Sequence, residues 1–305
     1  MKLYVSSSPH LRAPITTRRV MGDVLIALLP CVVAGVLLYG FRSLLVVGLS
    51  TLFCVALEYL CRLVMKREQT IGDLSAAVTG VLLGLIMPVS VPIHLLFVGC
   101  VTAIVVVKQM FGGLGNNFVN PALTARIVML VSFPTQMTAF TTAQMTDAVT
   151  TATPLAKDVA QTALWDLFVG RVGGCIGETC KIAILIGLVY LLARRVISPI
   201  IPVCYVGTAA LFSLLVGASV PFHLLSGGLL FGAVFMATDY VTSPVSKGGR
   251  VLYAVLCGLL TMLIRLYANL PEGVSYAIVL MNIATPLIER IPFGKPFGKG
   301  GKSSV

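Results

Sequence analysis

Charge is what this chain has least of. Of its 305 residues only 11% are charged and only 11 are acidic. A soluble domain carries roughly a quarter charged residues, so the composition excludes an ordinary soluble fold. Histidine is nearly absent, with 3 in the chain, and His94 and His223 stand too far apart in sequence to be argued as metal ligands. The 8 cysteines (31, 54, 61, 100, 175, 180, 204 and 257) contain no C-x-x-C pair. Six lie in apolar runs and read as small buried hydrophobes. Cys175 and Cys180 lie near a membrane surface and read as thiols without a metal role. No dinucleotide fingerprint follows a strand, and no carboxylate cluster suggests a self-contained sodium site. No amino-terminal signal peptide is visible, since Arg12, Arg18 and Arg19 precede an apolar run that has no small-residue cleavage site.

What fills the chain is apolar: 57% hydrophobic residues and a mean hydropathy of +0.99. Runs long enough to cross a bilayer recur. The expected fold class is an all-α polytopic membrane protein with about ten transmembrane helices. They are placed at roughly 22–40, 43–64, 74–90, 92–110, 121–134, 178–194, 198–217, 221–238, 250–267 and 272–289. The third, fifth and eighth are short or interrupted by glycine.

The formal net charge of +11 does not point to nucleic acid. Arg18, Arg19, Arg62, Lys66, Arg67, Lys108, Arg194, Arg195, Lys247, Arg250, Arg290, Lys295, Lys299 and Lys302 all fall on one side if the spans alternate. That is the positive-inside pattern, and it places both termini in the cytoplasm. The chain then divides into a first membrane half (1–134), an exterior loop (135–177), a second membrane half (178–289) and a basic cytoplasmic tail (290–305).

An internal repeat is expected from Gly80-Val81-Leu82-Leu83-Gly84 and Gly228-Leu229-Leu230-Phe231-Gly232, five spans apart. Five helices per repeat, an odd number, would make the halves inverted, as in transporters with a central pathway. Glycines at this spacing also simply let helices approach closely. Charges at membrane depth are functional candidates; here they are Glu58, Arg126, Glu178, Lys181 and Arg265. Glu58 is close to the inner end, and Lys181 and Arg265 are long enough to snorkel outward.

The hydrophilic loop carries the strongest motif. Asp147-Ala148-Val149-Thr150-Thr151-Ala152-Thr153 fits Asp-x-x-Ser/Thr-x-Ala-Thr, the acceptor sequence read by bacterial flavin transferases. Such an enzyme moves FMN from FAD onto the last threonine, here Thr153. Asp147 and Thr150 fit as recognition contacts, and Ala152 leaves room. Pro154 disfavours a helical Thr153 and holds it extended. Behind the motif, 155–169 is a partly amphipathic stretch holding Trp165, the sole tryptophan, which suits an interfacial anchor.

Four further segments complete the picture. They are Phe111-Gly112-Gly113-Leu114-Gly115-Asn116-Asn117-Phe118-Val119-Asn120-Pro121-Ala122, Gly173-Gly174-Cys175-Ile176-Gly177-Glu178-Thr179, Met236-Ala237-Thr238-Asp239-Tyr240-Val241-Thr242-Ser243-Pro244 and Met281-Asn282-Ile283-Ala284-Thr285-Pro286-Leu287-Ile288. With the loop motif they resemble, from end to end, the family of Rnf-complex D subunits and sodium-pumping NADH:quinone reductase B subunits. The chain departs from the family pattern at Thr151, where a smaller residue is commoner, and at Val119, placed between Phe118 and Asn120. The first of the four segments is not a phosphate loop, for it lacks the lysine. Asn120 reads as a helix cap with Pro121 at the first helical position.

The resemblance implies an electron-transfer subunit of an ion-translocating ferredoxin:NAD oxidoreductase, exporting Na+ or H+, with FMN esterified to Thr153. It implies a non-covalent riboflavin nearby, with Asn116, Asn117 and Glu178 as candidate contacts. No catalytic residue and no metal site is expected in the chain. The implied partners are the A, B, C, E and G components of Rnf, a flavin transferase and membrane lipid, in a bacterial cytoplasmic membrane. Two readings compete: a B-type component of the quinone reductase, disfavoured by the short amino-terminal stretch, and an inverted-repeat transporter or channel without flavin.

Overall fold

The architecture follows from one demand: apolar side chains must meet lipid or each other, and no backbone polar group can be left bare at membrane depth. A computed structural model describes residues 16–141, 150–151, 155, 163–268 and 273–292. Helices dominate them. α1 (Thr17–Tyr39), α2 (Phe41–Val64) and α12 (Lys247–Tyr267) are each long and apolar enough to cross a bilayer unaided. Shorter apolar helices are α3 (Ser75–Leu85), α4 (Ile93–Val101), α5 (Pro121–Ser132), α8 (Lys181–Ala193), α9 (Ile200–Leu215) and α13 (Gly273–Glu289). α6 (Pro134–Met137) and α7 (Leu164–Val169) are single turns. Large apolar side chains such as Leu37, Val64, Val189 and Leu214 stay exposed on the helix flanks. This is the outer surface of a membrane-embedded, all-helical protein. The one sheet among the described residues is a ribbon of two strands, β1 (Phe140–Thr141) and β2 (Thr150–Thr151), paired antiparallel.

The helices lie on the apolar segments predicted from sequence, with two departures of physical interest. The third segment stays helical only to Leu85; residues 86–92 run on as buried, irregular chain before α4 begins at Ile93. Pro88 and Pro92 explain this, because neither can donate an amide hydrogen to a continuing helix. The eighth segment is broken in two, α10 (Val220–Leu225) and α11 (Leu229–Phe231), with Ser226–Gly228 between them. Two apolar helices also widen into π-helix. α4 continues as Thr102–Gln109 and α11 as Gly232–Met236, marked by Met110 N–H bonding the Val105 carbonyl and Ala237 N–H bonding that of Gly232. The widened turn in α4 rotates Lys108 and Gln109 into the interior, where both are buried.

Tyr39 donates to the Val172 carbonyl and Arg42 to that of Val89, so the end of the bundle holding the α1–α2 turn is called here the loop end. The other end of α2, where Glu58 and Arg62 meet Lys108, is called the basic end. α1 packs on α8 and α5 on α13, so two seams join the residues before 134 to those after 178. Gly187 brings α8 against the Ala27 carbonyl of α1, where a Cβ would come within 2.5 Å. The two glycine pairs singled out in sequence do different work. Gly80 and Gly84 press α3 onto the α2 backbone at Thr51 and Val47. Gly228 instead faces the Glu178 carboxylate, and Gly232 faces Val274 and Ile278 of α13.

The α2–α3 contact is tight enough to test. A Cβ at Gly84 would lie 2.8 Å from the Val47 Cα, while at Gly48 nothing lies within 4 Å. Gly84→Val should destabilise the protein by about 1–3 kcal/mol. Gly48→Ala should be neutral or stabilise by up to about 1 kcal/mol. Thermal unfolding in detergent micelles reads both.

Candidate functional site: two buried ionic centres and the flavin loop

At the loop end, the irregular 86–92 chain needs hydrogen-bond donors and receives them from basic side chains and a neighbouring loop. Arg126, deep in α5 and only 2% exposed, donates to the Ile86 carbonyl. Arg42 donates to the carbonyls of Val89 at 3.0 Å and Ser90 at 3.3 Å. Ile176 and Gly177 N–H bond the carbonyls of Met87 and Leu85. Arg126 also reaches the Cys175 thiol at 3.1 Å and the Glu178 carboxylate at 3.3 Å. Cys175 is buried under this contact.

The break in the eighth segment is met in the same way. Arg265 donates to the carbonyls of His223 (2.8 Å) and Ser226 (3.3 Å). Lys181 donates to those of Gly227 (2.9 Å) and Glu178. The outward snorkelling expected of Lys181 does not occur. The residue is 1% exposed and turns inward, because the carbonyls of the broken segment offer it an oxygen-lined seat that lipid cannot. Arg265 likewise turns to carbonyls. Glu178, expected at a helix amino terminus, sits in the turn three residues before α8 and pairs with Arg126. Arg126, Glu178, Lys181, Gly227 and Gly228 line one small cavity of about 30 Å³, together with Leu155, which follows the acceptor motif.

The acceptor motif itself is described in part. Thr150 and Thr151 form β2, held to β1 with Phe140 opposite Thr151. Asp147, Ala152 and Thr153 lie outside the described residues. Leu155, two positions after Thr153, lies over the break, 3.0 Å from where a Gly227 Cβ would stand. Trp165 is 66% exposed on α7, as an interfacial anchor requires.

The basic end holds a second centre. Lys108 Nζ reaches Glu58 at 2.7 Å and the Ser75 hydroxyl at 2.6 Å, and Thr70 donates to Glu58 at 3.2 Å. Arg62 approaches the same carboxylate at 3.9 Å and donates to the Glu68 carbonyl at 2.8 Å. Glu58 is fully buried and Lys108 2% exposed. Sequence reasoning weighs Glu58 alone and uses Lys108 only for topology. The signal it misses is a lysine inside the apolar run Thr102–Gln109, where the π-turn faces it inward.

Beside this pair a cavity of about 100 Å³ opens between the two parts of the bundle. Its polar lining includes Ser75, Lys108, Asn117, Asn120 and Asp239. Asn117 is buried and donates to the Val119 carbonyl at 3.2 Å, while Asn116 is exposed. Of the two predicted asparagines, only Asn117 lines this cavity. Asn120 caps α5, accepting from Ala122 and Leu123 N–H, with Pro121 at the first helical position. Its amide also donates to the Met236 carbonyl at 3.4 Å. Asp239, just beyond the eighth segment, accepts from Val241 N–H and the Thr242 hydroxyl. Burial pushes its carboxyl above the usual carboxylate range, and those two hydrogen bonds pull it back.

The Glu58–Lys108 pair makes a sharp prediction. Lys108→Met leaves a buried carboxylate short of its counter-charge and should destabilise by roughly 3–5 kcal/mol. Adding Glu58→Gln should recover most of that loss. Chemical denaturation of the two variants in micelles, followed by tryptophan fluorescence, measures both effects.

Comparison with known proteins gives these centres a setting. The sequence pattern of the NQR2, RnfD, RnfE family matches residues 4–298. The chain is 47% identical to the D component of the Na(+)-translocating ferredoxin:NAD(+) oxidoreductase complex of Acetobacterium woodii, covering 98% of this chain and 96% of the relative. It is 38% identical to the D component of the proton-translocating ferredoxin:NAD(+) oxidoreductase complex of Clostridium ljungdahlii, over 96% of each. It is 33% identical to the D component of the ion-translocating oxidoreductase complex of Vibrio cholerae, over 98% of this chain and all of the relative. The chain belongs to the NQR2, RnfD, RnfE family.

Proposed function

We propose that this chain is the D component of an ion-translocating ferredoxin:NAD+ oxidoreductase complex and carries FMN esterified through its phosphate to Thr153. The observation that carries the complex assignment is the 47% identity to such a component across 98% of the chain. The flavin rests on the intact acceptor motif Asp147–Thr153. The chain acts with partner proteins, expected to be the A, B, C, E and G components of Rnf, and needs a flavin transferase. A bacterial cytoplasmic membrane holds it, with ten spans, both termini inside and the flavin loop outside. The positive-inside distribution supports that orientation. Packing of α1 on α8 and α5 on α13 supports two inverted five-helix repeats, because first and last helices of such repeats meet across a two-fold axis.

The residues at the loop end fit an anionic, planar group. Arg126 and Lys181 offer positive charge beside the Glu178 carboxylate, and the missing side chains of Gly227 and Gly228 let Leu155 and Glu178 close on the backbone there. The cavity itself admits one or two waters, so an isoalloxazine ring would rest against its mouth and not inside it. When bound, the flavin supplies one- and two-electron redox chemistry. The chain's part is to hold the ring near the membrane surface, prevent its loss through the tether and set its potential with fixed charges. A non-covalent riboflavin would take the cavity at the basic end, where Asn117 and Asn120 meet apolar walls. Ligand pockets of this kind measure roughly 300 Å³ or more, so α1 must part from residues 196–197 to admit it.

In-gel flavin fluorescence of the denatured chain tests the reading. A fluorescent band that requires co-expressed transferase and vanishes in Thr153→Val is the expected result. A dark band despite an active transferase would favour the transporter reading, which leaves the acceptor motif without a role.

A further inference from the structure

The broken eighth segment carries an inference that goes beyond the flavin and does not depend on it. In membrane proteins with discontinuous helices, the exposed carbonyls at a break are a common seat for a monovalent metal cation. Here the seat is taken by the chain itself. Lys181 Nζ lies on the carbonyl oxygens of Gly227 and Glu178. The Glu178 carboxylate lies against the same backbone, 2.6 Å from where a Gly228 Cβ would stand. Arg265 occupies two neighbouring carbonyls, those of His223 and Ser226. The Ser226 hydroxyl is buried at the same break and has no hydrogen-bond partner among the described residues. Two carbonyl oxygens thus hold the ammonium.

We propose that Lys181 is a tethered stand-in for a monovalent metal cation: its ammonium latches the break in the eighth segment, and the same oxygens bind a Na+-class ion when the ammonium is absent. Three features support the latch. A buried ammonium is expensive at this depth, so its inward turn needs these oxygens as ligands. Lys181 is the first residue of α8, which fixes the root of the side chain beside the break. Replacing the ammonium by one monovalent cation keeps the charge at these oxygens, and the Glu178 carboxylate stays where it is. The latch ties α8 to the eighth segment, so a cation on these oxygens, tethered or free, holds that helix pair together.

Hydrogen exchange read by mass spectrometry on the detergent-solubilised complex tests this. In the unaltered protein the amides of 220–236 should exchange slowly whether the salt is NaCl or choline chloride at equal ionic strength. Lys181→Met in choline chloride should exchange roughly tenfold faster there, the loss expected for one charge-assisted hydrogen bond. NaCl should restore protection with a saturating dependence, and Lys181→Arg should stay protected in both salts. Unchanged exchange in Lys181→Met overturns the proposal. So does restoration by choline as fully as by Na+, or a loss that Na+ does not reverse. If Lys181→Met fails to assemble, yields of complex from Na+-replete and Na+-depleted cultures decide: recovery in Na+ supports the latch, and equal failure overturns it.

Discussion

Backbone carbonyls stranded at membrane depth are the constraint on which this structure depends. The third and eighth segments both abandon the helix near the loop end, and lipid offers neither a donor. Basic side chains supply them: Arg126 and Arg42 for the third, Lys181 and Arg265 for the eighth. Glu178 sits between the two sets, paired with Arg126 and supplying a carbonyl to Lys181. Ions that are expensive to bury singly are thereby made part of the backbone hydrogen-bond network. Removal of any one of the basic side chains strands a carbonyl, and removal of Arg126 also takes a counter-charge from Glu178.

This arrangement joins the two parts of the chain where function is concentrated. Arg126 belongs to α5, Glu178 and Lys181 to the chain after the flavin loop, and the loop residue Leu155 lies over the same break. At the basic end the Asn282 amide sits 2.7 Å from the Tyr253 hydroxyl and, suitably turned, accepts from the Asn120 N–H. With the Asn120 contact to Met236, it ties α5 to the later helices there too. A buried ionic cluster at the loop end and a polar cavity at the basic end thus mark the two places where the parts of the chain meet.

Much of this is legible in the sequence. The apolar segments, the Asn120–Pro121 cap and the charges at membrane depth all follow from composition and local chemistry. Partners of those charges do not, because Glu58 and Lys108 are 50 positions apart and meet through a π-turn that no periodicity announces. The length of Lys181 allows it to snorkel, but nothing in the sequence says that the carbonyls freed at the break in the eighth segment, 46 positions away, will hold it inward. Glycine spacing suggests the break but not its consequence: the matching glycine pairs, similar as letters, press on backbone in one case and face a carboxylate in the other. Asn116 and Asn117, adjacent in sequence, part between surface and interior because the glycine-rich turn before them takes left-handed backbone at Gly113 and Gly115.

The central claim is that the loop carries a covalent flavin on a membrane-embedded electron-transfer protein. Intact-mass measurement of the chain, purified from cells that contain the transferase, tests it most directly. The account predicts a mass greater than the polypeptide by one FMN less one water, with the increment on the peptide containing Thr153. A chain at its bare polypeptide mass, from cells whose transferase is active on a control substrate, would contradict it.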